Sequence, residues 1–292
     1  MAVKWHVGVI GGSGLYDLPD LADVQEIPIS SPFGEPSGPV LLGTIGDVKF
    51  SFLSRHGEGH RISPSEINYR ANVDVLKRSG VTDLISLSAV GSLSEDIAPG
   101  QFVTVDQIID RTVGRERSFF GHGLVAHVGM ADPTCARLSD LAANAIRAAG
   151  GPVHRGGCYV AIEGPQFSSR AESELYRSWG AKVIGMTAMP EARLAREAEL
   201  PYALVGMVTD YDCWREGEED VTVAEILSTM RANVGIARDS LLRLAKALPE
   251  ERTAAPADTA LDNAIVTDRA HWDRTMMLRL DTVAGRIMRS VE

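Results

Sequence analysis

The stretch Leu84-Ile-Ser-Leu-Ser-Ala-Val90, closed by Gly91, constrains the fold more than any other part of this chain. It has the length of a strand and is bounded by a turn residue, the pattern of a strand buried on both faces. Such a strand needs a covering layer on each side, and helical segments alternate with further strands along the sequence. His6-Val-Gly-Val-Ile10 reads as a strand running into Gly11-Gly-Ser-Gly14. Residues 40–45 and 48–54 read as a strand pair turning at Gly46-Asp47. Ser63-Pro64 opens a helix that runs to about Arg78, where Ser79-Gly80 stops it.

The pattern continues in the second half. Residues 102–109 read as one strand, and residues 134–149 as a helix with Leu138, Leu141, Ala145 and Ile146 on one face. A strand over 159–163 leads into a loop, and Ser169-Arg-Ala-Glu172 has capping-box spacing at the start of a helix. Strands are expected over 183–186 and 203–208, with a helix over 191–198 between them. Thr222-Val-Ala-Glu225 is a second capping box, opening a long helix to about Leu248. Residues 249–258 read as a linker or exposed loop, and 276–288 as a short terminal helix. Alternating strands and helices imply an α/β fold with a largely parallel or mixed sheet. No composition break marks a boundary, so one domain over residues 1–292 is expected.

Composition narrows the partners. The net charge of −10 argues against a nucleic-acid surface, which needs a basic footprint. The three cysteines, Cys135, Cys158 and Cys213, are far apart and form no metal-binding or disulfide spacing. No apolar run approaches the length of a membrane span, and residues 1–9 lack a cleavage-site pattern. The expected compartment is the cytoplasm.

In this class of fold ligands collect at loops that follow strands. Gly11-Gly-Ser-Gly14 cradles an anion or is simply a tight turn; it is neither a Walker loop nor a dinucleotide fingerprint, since Asp17 stands where a third glycine belongs. Arg55-His56 ends a strand and suits an oxyanion, with a fixed fork plus a second donor, or serves in a surface salt bridge. His56 and His60 would suit a metal only on a helix, which the intervening glycines disfavour. Ser88-Ala89 puts a hydroxyl and successive N–H groups at a strand end. Phe167, Ser168 and Ser169 offer an aromatic face and small hydroxyls, or form a rigid loop capped at Ser169. Asp210 and Asp212 are a turn, a metal pair, or two bonds to one polar ligand edge.

The ordered set is far more specific than any one loop. Gly-Gly-Ser-Gly-Leu15, Arg55-His56-Gly57, Asn68-Tyr69, Ser88-Ala-Val-Gly-Ser92, Glu163-Gly-Pro-Gln-Phe-Ser-Ser-Arg-Ala-Glu172, Met186-Thr187 and Thr209-Asp-Tyr-Asp-Cys-Trp214 together resemble the methylthioadenosine phosphorylases, a branch of the trimeric purine nucleoside phosphorylases. The resemblance covers about residues 7–245 and is looser beyond Pro249. It implies a nucleoside phosphorylase fold: a central mixed, twisted β-sheet, a distorted barrel, flanked by helices. It also implies phosphorolysis of 5′-methylthioadenosine with inorganic phosphate as co-substrate, no metal and no organic cofactor. A homotrimer is implied too.

Carried onto this chain, the resemblance puts phosphate against Ser13, Arg55, His56, Ser88, Ala89 and Thr187. The ribose meets the backbone of Met186. The purine stacks near Phe167 and meets Asp210 and Asp212, with Asp210 as the acid for the leaving base. Val223 and Leu227 line the methylthio pocket, and His127 reaches into the pocket of a neighbouring subunit. Relatives acting on 6-oxopurines carry Glu where this chain has Ser168 and Asn where it has Asp210, so adenine is favoured over hypoxanthine. A methylthioinosine or general purine nucleoside phosphorylase, a hydrolytic nucleosidase and a nucleoside-binding protein without activity are the competing readings.

Overall fold

The computed structural model describes residues 4–12, 14–15, 18–215 and 223–289; over 223–227 only the helical backbone is described. In chain order the strands are β1 (His6–Gly11), β2 (Ala22–Ile27), β3 (Val40–Ile45), β4 (Val48–Ser54), β5 (Asp83–Ser92), β6 (Phe102–Val105), β7 (Gln107–Asp110), β8 (Val153–Arg155), β9 (Cys158–Ala161), β10 (Ala181–Gly185) and β11 (Tyr202–Asp210). The helices are α1 (Tyr69–Arg78), α2 (Ala136–Ala148), α3 (Arg170–Ser178), α4 (Ala188–Glu197), α5 (Val223–Ala247), α6 (Arg274–Arg279) and α7 (Gly285–Arg289).

All eleven strands among the described residues belong to one mixed sheet that branches at β5. Strand β5 runs parallel to β1 and β11 and antiparallel to β10. One arm leaves through β11 to β6, the other through β10 and β9 to β7. Strands β6 and β7 are one piece of chain bent at Asp106, so they join the two arms and close a distorted barrel. The expected single strand over 102–109 is therefore two, because its halves pair with different neighbours. Gly156 and Gly157, both at positive φ, sit beside the bend, and Gly157 N donates to Asp106 Oδ1 at 2.9 Å.

Burial on both faces explains the apolar run of β5: Leu84, Ile85, Leu87 and Val90 are each at most 2% exposed. They divide between two hydrophobic clusters, one lying under α1 and α4 and the other under α2 and α5. The mixed α/β sheet flanked by helices is thus the architecture expected.

Several boundaries differ from the sequence reading. Helix α1 starts at Tyr69, not at Ser63-Pro64: Asn68 caps it by accepting from Ala71 N, while Ser63 and Glu66 bond one another in a separate turn. Strands β2 and β8 escape the pattern search because β2 is polar and exposed and β8 is three residues long. Residues 249–258 are not a free linker. Pro249 O accepts from Trp5 Nε1 at 2.8 Å, and Arg252 bonds both Asp83 and Asp258. The terminal helix expected over 276–288 is two short helices, α6 and α7, and Arg286 in the second pairs with Glu199. The capping box at Ser169 is present with both reciprocal bonds. That at Thr222 lies outside the described residues.

Candidate active site

The carboxyl ends of β1, β5 and β11 lie side by side because these strands run parallel in adjacent positions. Ser88 sits in β5 opposite Gly206, and Gly91 opposite Asp210. Three residues of strand, about 10 Å, thus separate a hydroxyl-bearing end from a carboxyl-bearing end.

At the first end, Ser88 Oγ and Thr187 Oγ1 are 3.2 Å apart, both buried. Thr187 stands at the start of α4, and its own side chain makes no capping bond there. Its hydroxyl instead pairs with Ser88 Oγ, so the two hydroxyls stand together at the turn that leads into α4. Ala89 follows Ser88 on β5. Ser13 lies outside the described residues.

Arg55 is 2% exposed and its guanidinium faces inward. Nε donates to Glu191 Oε2 at 2.8 Å and Nη2 to Glu191 Oε1 at 3.2 Å. Nη2 also reaches Ser86 Oγ (2.7 Å) and Ile10 O (3.1 Å), and Nη1 reaches Leu87 O (3.2 Å). The fork expected for an anion grips Glu191 instead, leaving one Nη1 hydrogen without an acceptor among the described residues. Burial works against the charge, and the Glu191 carboxylate outweighs it and raises the pKa. Tyr202 OH donates to the same carboxylate at 2.9 Å.

His56 is buried and stacks on His60, ring centroids 4.0 Å apart. Burial, then the neighbouring Arg55 charge, lower its pKa to about 4. The ring is neutral at pH 7. Nδ1 must donate to Ile62 O, 2.9 Å away, because a carbonyl only accepts. Nε2 is then an acceptor, so this ring receives a hydrogen bond where the sequence reading had it give one. No group of His, Cys, Asp and Glu suited to a metal ion occurs among the described residues.

At the second end, Asp210 is the last residue of β11 rather than part of the loop after it. Thr209 Oγ1 donates to its Oδ2 at 2.6 Å, and Asp212 N to its Oδ1 at 2.8 Å. Burial raises the pKa of this carboxyl, with the Thr209 and Asp212 bonds opposing. Asp212 follows at φ 54°, its backbone N–H meeting the Asp210 carboxyl. Burial raises its pKa too; the nearby Ser173 hydroxyl opposes this and the Asp210 charge adds to it. Asp212 Oδ2 is buried with no hydrogen-bond partner among the described residues, as is Ser168 Oγ. Buried polar atoms are rarely left so without a ligand or water to receive them. Gly91 makes room for the pair: a Cβ there would stand 2.9 Å from Asp210 Oδ1.

The carboxyl pair is fastened from two sides. Trp214 Nε1 donates to Ser92 O at 2.7 Å, tying the turn after β11 back to β5. Arg170 Nη1 donates to Cys213 O at 2.6 Å, and Cys213 Sγ to Ser168 O at 3.3 Å, tying it to the loop that carries Ser168. Met186 immediately precedes Thr187, and its carbonyl is taken by Arg115 Nη1 at 2.7 Å. Phe167 is 61% exposed. His127 is exposed, on a segment whose backbone bonds Ala264 O. The backbone of Val223 and Leu227 lies in α5; their side chains are outside the described residues.

Residues 6–247 match the family model described as the phosphorylase superfamily. S-methyl-5′-thioadenosine phosphorylase from Bradyrhizobium diazoefficiens is 54% identical over 97% of this chain and 98% of its own length. This chain belongs to the phosphorylase superfamily, and within it to the S-methyl-5′-thioadenosine phosphorylase family. The enzyme of that name from Cereibacter sphaeroides is 52% identical over 98% of this chain and the whole of its own. A crystal structure of a methylthioadenosine phosphorylase from an antarctic soil metagenomic library superposes with TM-score 0.91 at 43% identity, covering 96% of this chain and 99% of the other. A variant adenosine/methylthioadenosine phosphorylase from Schistosoma mansoni, solved in complex with methylthioadenosine, gives 0.77 at 39% identity over 83% and 91%.

The phosphorylase fold depends on residues that the sequence motifs do not single out. Glu191 reads as a helix residue among small apolar neighbours, and its partner Arg55 is 136 positions away. Tyr202 opens a strand. Arg115 sits in Gly114-Arg-Glu-Arg117, which has the composition of a solvated loop, yet it is 8% exposed. A lone polar side chain on an otherwise apolar face was the available signal for Glu191; nothing local distinguishes Arg115 from Arg117.

Proposed function

We propose that the chain splits S-methyl-5′-thioadenosine with inorganic phosphate into adenine and 5-methylthioribose-1-phosphate. The observation that carries this reading is the placement of Asp210 and Asp212 on β11 and the turn after it, a few residues along the β5–β11 pairing from the Ser88–Thr187 hydroxyl pair. Phosphate sits against Ser88, Ala89, Thr187 and Ser13. Arg55 contributes its buried charge and its remaining Nη1 hydrogen, and His56 Nε2 accepts a hydrogen bond from a protonated phosphate oxygen.

The bond from the anomeric carbon to N9 breaks as the sugar gains positive charge, which the adjacent phosphate stabilises. A phosphate oxygen then bonds that carbon. Asp210, whose carboxyl burial shifts toward the protonated form, is the acid that delivers a proton to N7 of the departing purine. The orphaned Oδ2 of Asp212 accepts from the exocyclic amine, a match an oxo group cannot make. Met186 backs the ribose and Phe167 the purine face. Val223 and Leu227 border the methylthio group. The donors are fixed before substrate arrives, so little reorganisation is needed. The residue set needs no metal or organic cofactor. The assembly is a homotrimer in which His127 closes a neighbour's pocket, and the protein works in the cytoplasm as one domain.

Purine release from methylthioadenosine and methylthioinosine, each with and without phosphate, tests the reading. Phosphate-dependent adenine release is the expected result. Preferential hypoxanthine release would overturn the roles of Asp210 and Asp212, and release without phosphate would make the protein a hydrolase.

A further inference from the structure

We propose that Arg115 is a positioning residue that fixes the Met186–Met189 turn, and with it Thr187, against the purine-side loop beginning at Glu163. The proposal rests on the phosphorolytic reading for the meaning of the two ends of the crevice. It rests on the structure for the side chain's contacts.

Burying a guanidinium is costly unless its donors are satisfied, and Arg115 satisfies its own mainly with backbone carbonyls. Nη1 donates to Met186 O and Met189 O, each at 2.7 Å, and lies 3.0 Å from Tyr69 OH. Nη2 donates to Glu163 O at 2.7 Å, and Nε to Glu163 Oε1 at 3.1 Å. The guanidinium carbon also lies 5.4 Å from the centre of the Tyr69 ring. Two of these carbonyls flank Thr187. Held by one nitrogen, they set the path of the chain between them, and so the direction of the Thr187 hydroxyl and N–H. That path is not set by helix geometry, since Met189 has extended dihedrals (φ −119°, ψ 135°) inside α4.

The other hand of the fork fixes the opposite wall. Glu163 opens the loop that carries Ser168, and its carboxylate is further held by Ser65 Oγ and Val113 N. A single planar group therefore ties the turn that carries Thr187 to the loop that carries Ser168. Lysine cannot substitute, because a point ammonium does not present donors in two fixed directions.

The test is steady-state kinetics on Arg115→Met, Arg115→Lys and Arg115→Ala, with phosphate and methylthioadenosine varied separately and folding followed by thermal denaturation. Arg252→Met, which removes a buried arginine contact far from the crevice, controls for lost stability. Arg115→Met is expected to raise the phosphate KM at least about 10-fold and lower kcat about 100-fold, the scale of an ångström misplacement. The phosphate-induced rise in Tm should disappear. Arg115→Lys should recover little, and added guanidinium ion should restore part of the Arg115→Ala activity. Arg252→Met should keep wild-type KM and kcat in its folded fraction. Folded Arg115→Met with both constants within twofold of wild type would overturn the proposal. So would a loss that merely tracks the unfolded fraction. Should the wild type release purine without phosphate, the phosphorolytic reading alone fails, and Arg115 is judged by the kcat of that hydrolysis in the same variants.

Discussion

Replacing Glu191 with leucine removes the counter-charge from an arginine that has no route to water. Arg55 is 2% exposed and Glu191 fully buried, so the pair sits where breaking one partner costs about 3–5 kcal/mol. Tyr202 OH loses its acceptor in the same step, adding about 1 kcal/mol or more. For 292 residues the unfolding entropy is about 0.6 kcal/mol per degree. A loss of about 4 kcal/mol therefore lowers Tm by about 7 °C. Differential scanning calorimetry at pH 7.5 reads this directly. The double variant Arg55→Met/Glu191→Leu replaces the pair with apolar groups of similar bulk and should regain at least half of the lost Tm. Its phosphate KM should stay high, since the charge offered to phosphate is gone. A Tm drop under 2 °C for Glu191→Leu would refute the claim that Glu191 neutralises Arg55. A double variant no more stable than the single would refute it as well.

Two further outcomes follow from titration. Burial lifts the Glu197 carboxyl to about 7, against the opposing bonds from Ser118 Oγ and Phe119 N. A raised folded pKa means stability present below about 4.5 and lost as pH rises through about 7, a change of about 3 kcal/mol. Glu197→Gln, which mimics the protonated form, should flatten Tm over that range; an unchanged pH slope would sink the assignment. Thr209→Val removes the bond that lowers the Asp210 pKa, so the alkaline limb of kcat/KM should move to higher pH, and a shift to lower pH would contradict Asp210 as the acid.

Local patterning exposed much of the architecture but little of what holds the site. The strands that pack on both faces, β1, β5 and β11, announce themselves by unbroken apolar composition, and the Ser169 capping box by its spacing. The bend at Asp106 is marked only by the polar pair Asp106-Gln107 inside a β-rich run, too little to separate two strands whose pairing partners differ. The start of α1 was misplaced because Ser63-Pro64 is a good opening signal that a turn used first. The clamp formed by Arg252 depends on Asp83, 169 positions away. The resemblance directed attention to Arg55, Asp210 and Thr187 as expected site residues. It could not reveal that Arg55 spends its fork on Glu191, since that depends on which side of β4 the chain places α4.

The bend that makes β6 and β7 one piece of chain also governs how the protein can come apart. Each arm of the sheet takes a strand from the same nine-residue stretch, so opening one arm at that seam pulls on the other. A chain wired in this way has no small step between closed and collapsed along that seam. Local openings belong to the edges, β2, β7 and β8, while the amides of β6, which has a partner strand on each side, should leave the native state at the energy of the whole. The two ends of the crevice therefore share one cooperative unit, and neither loosens by itself.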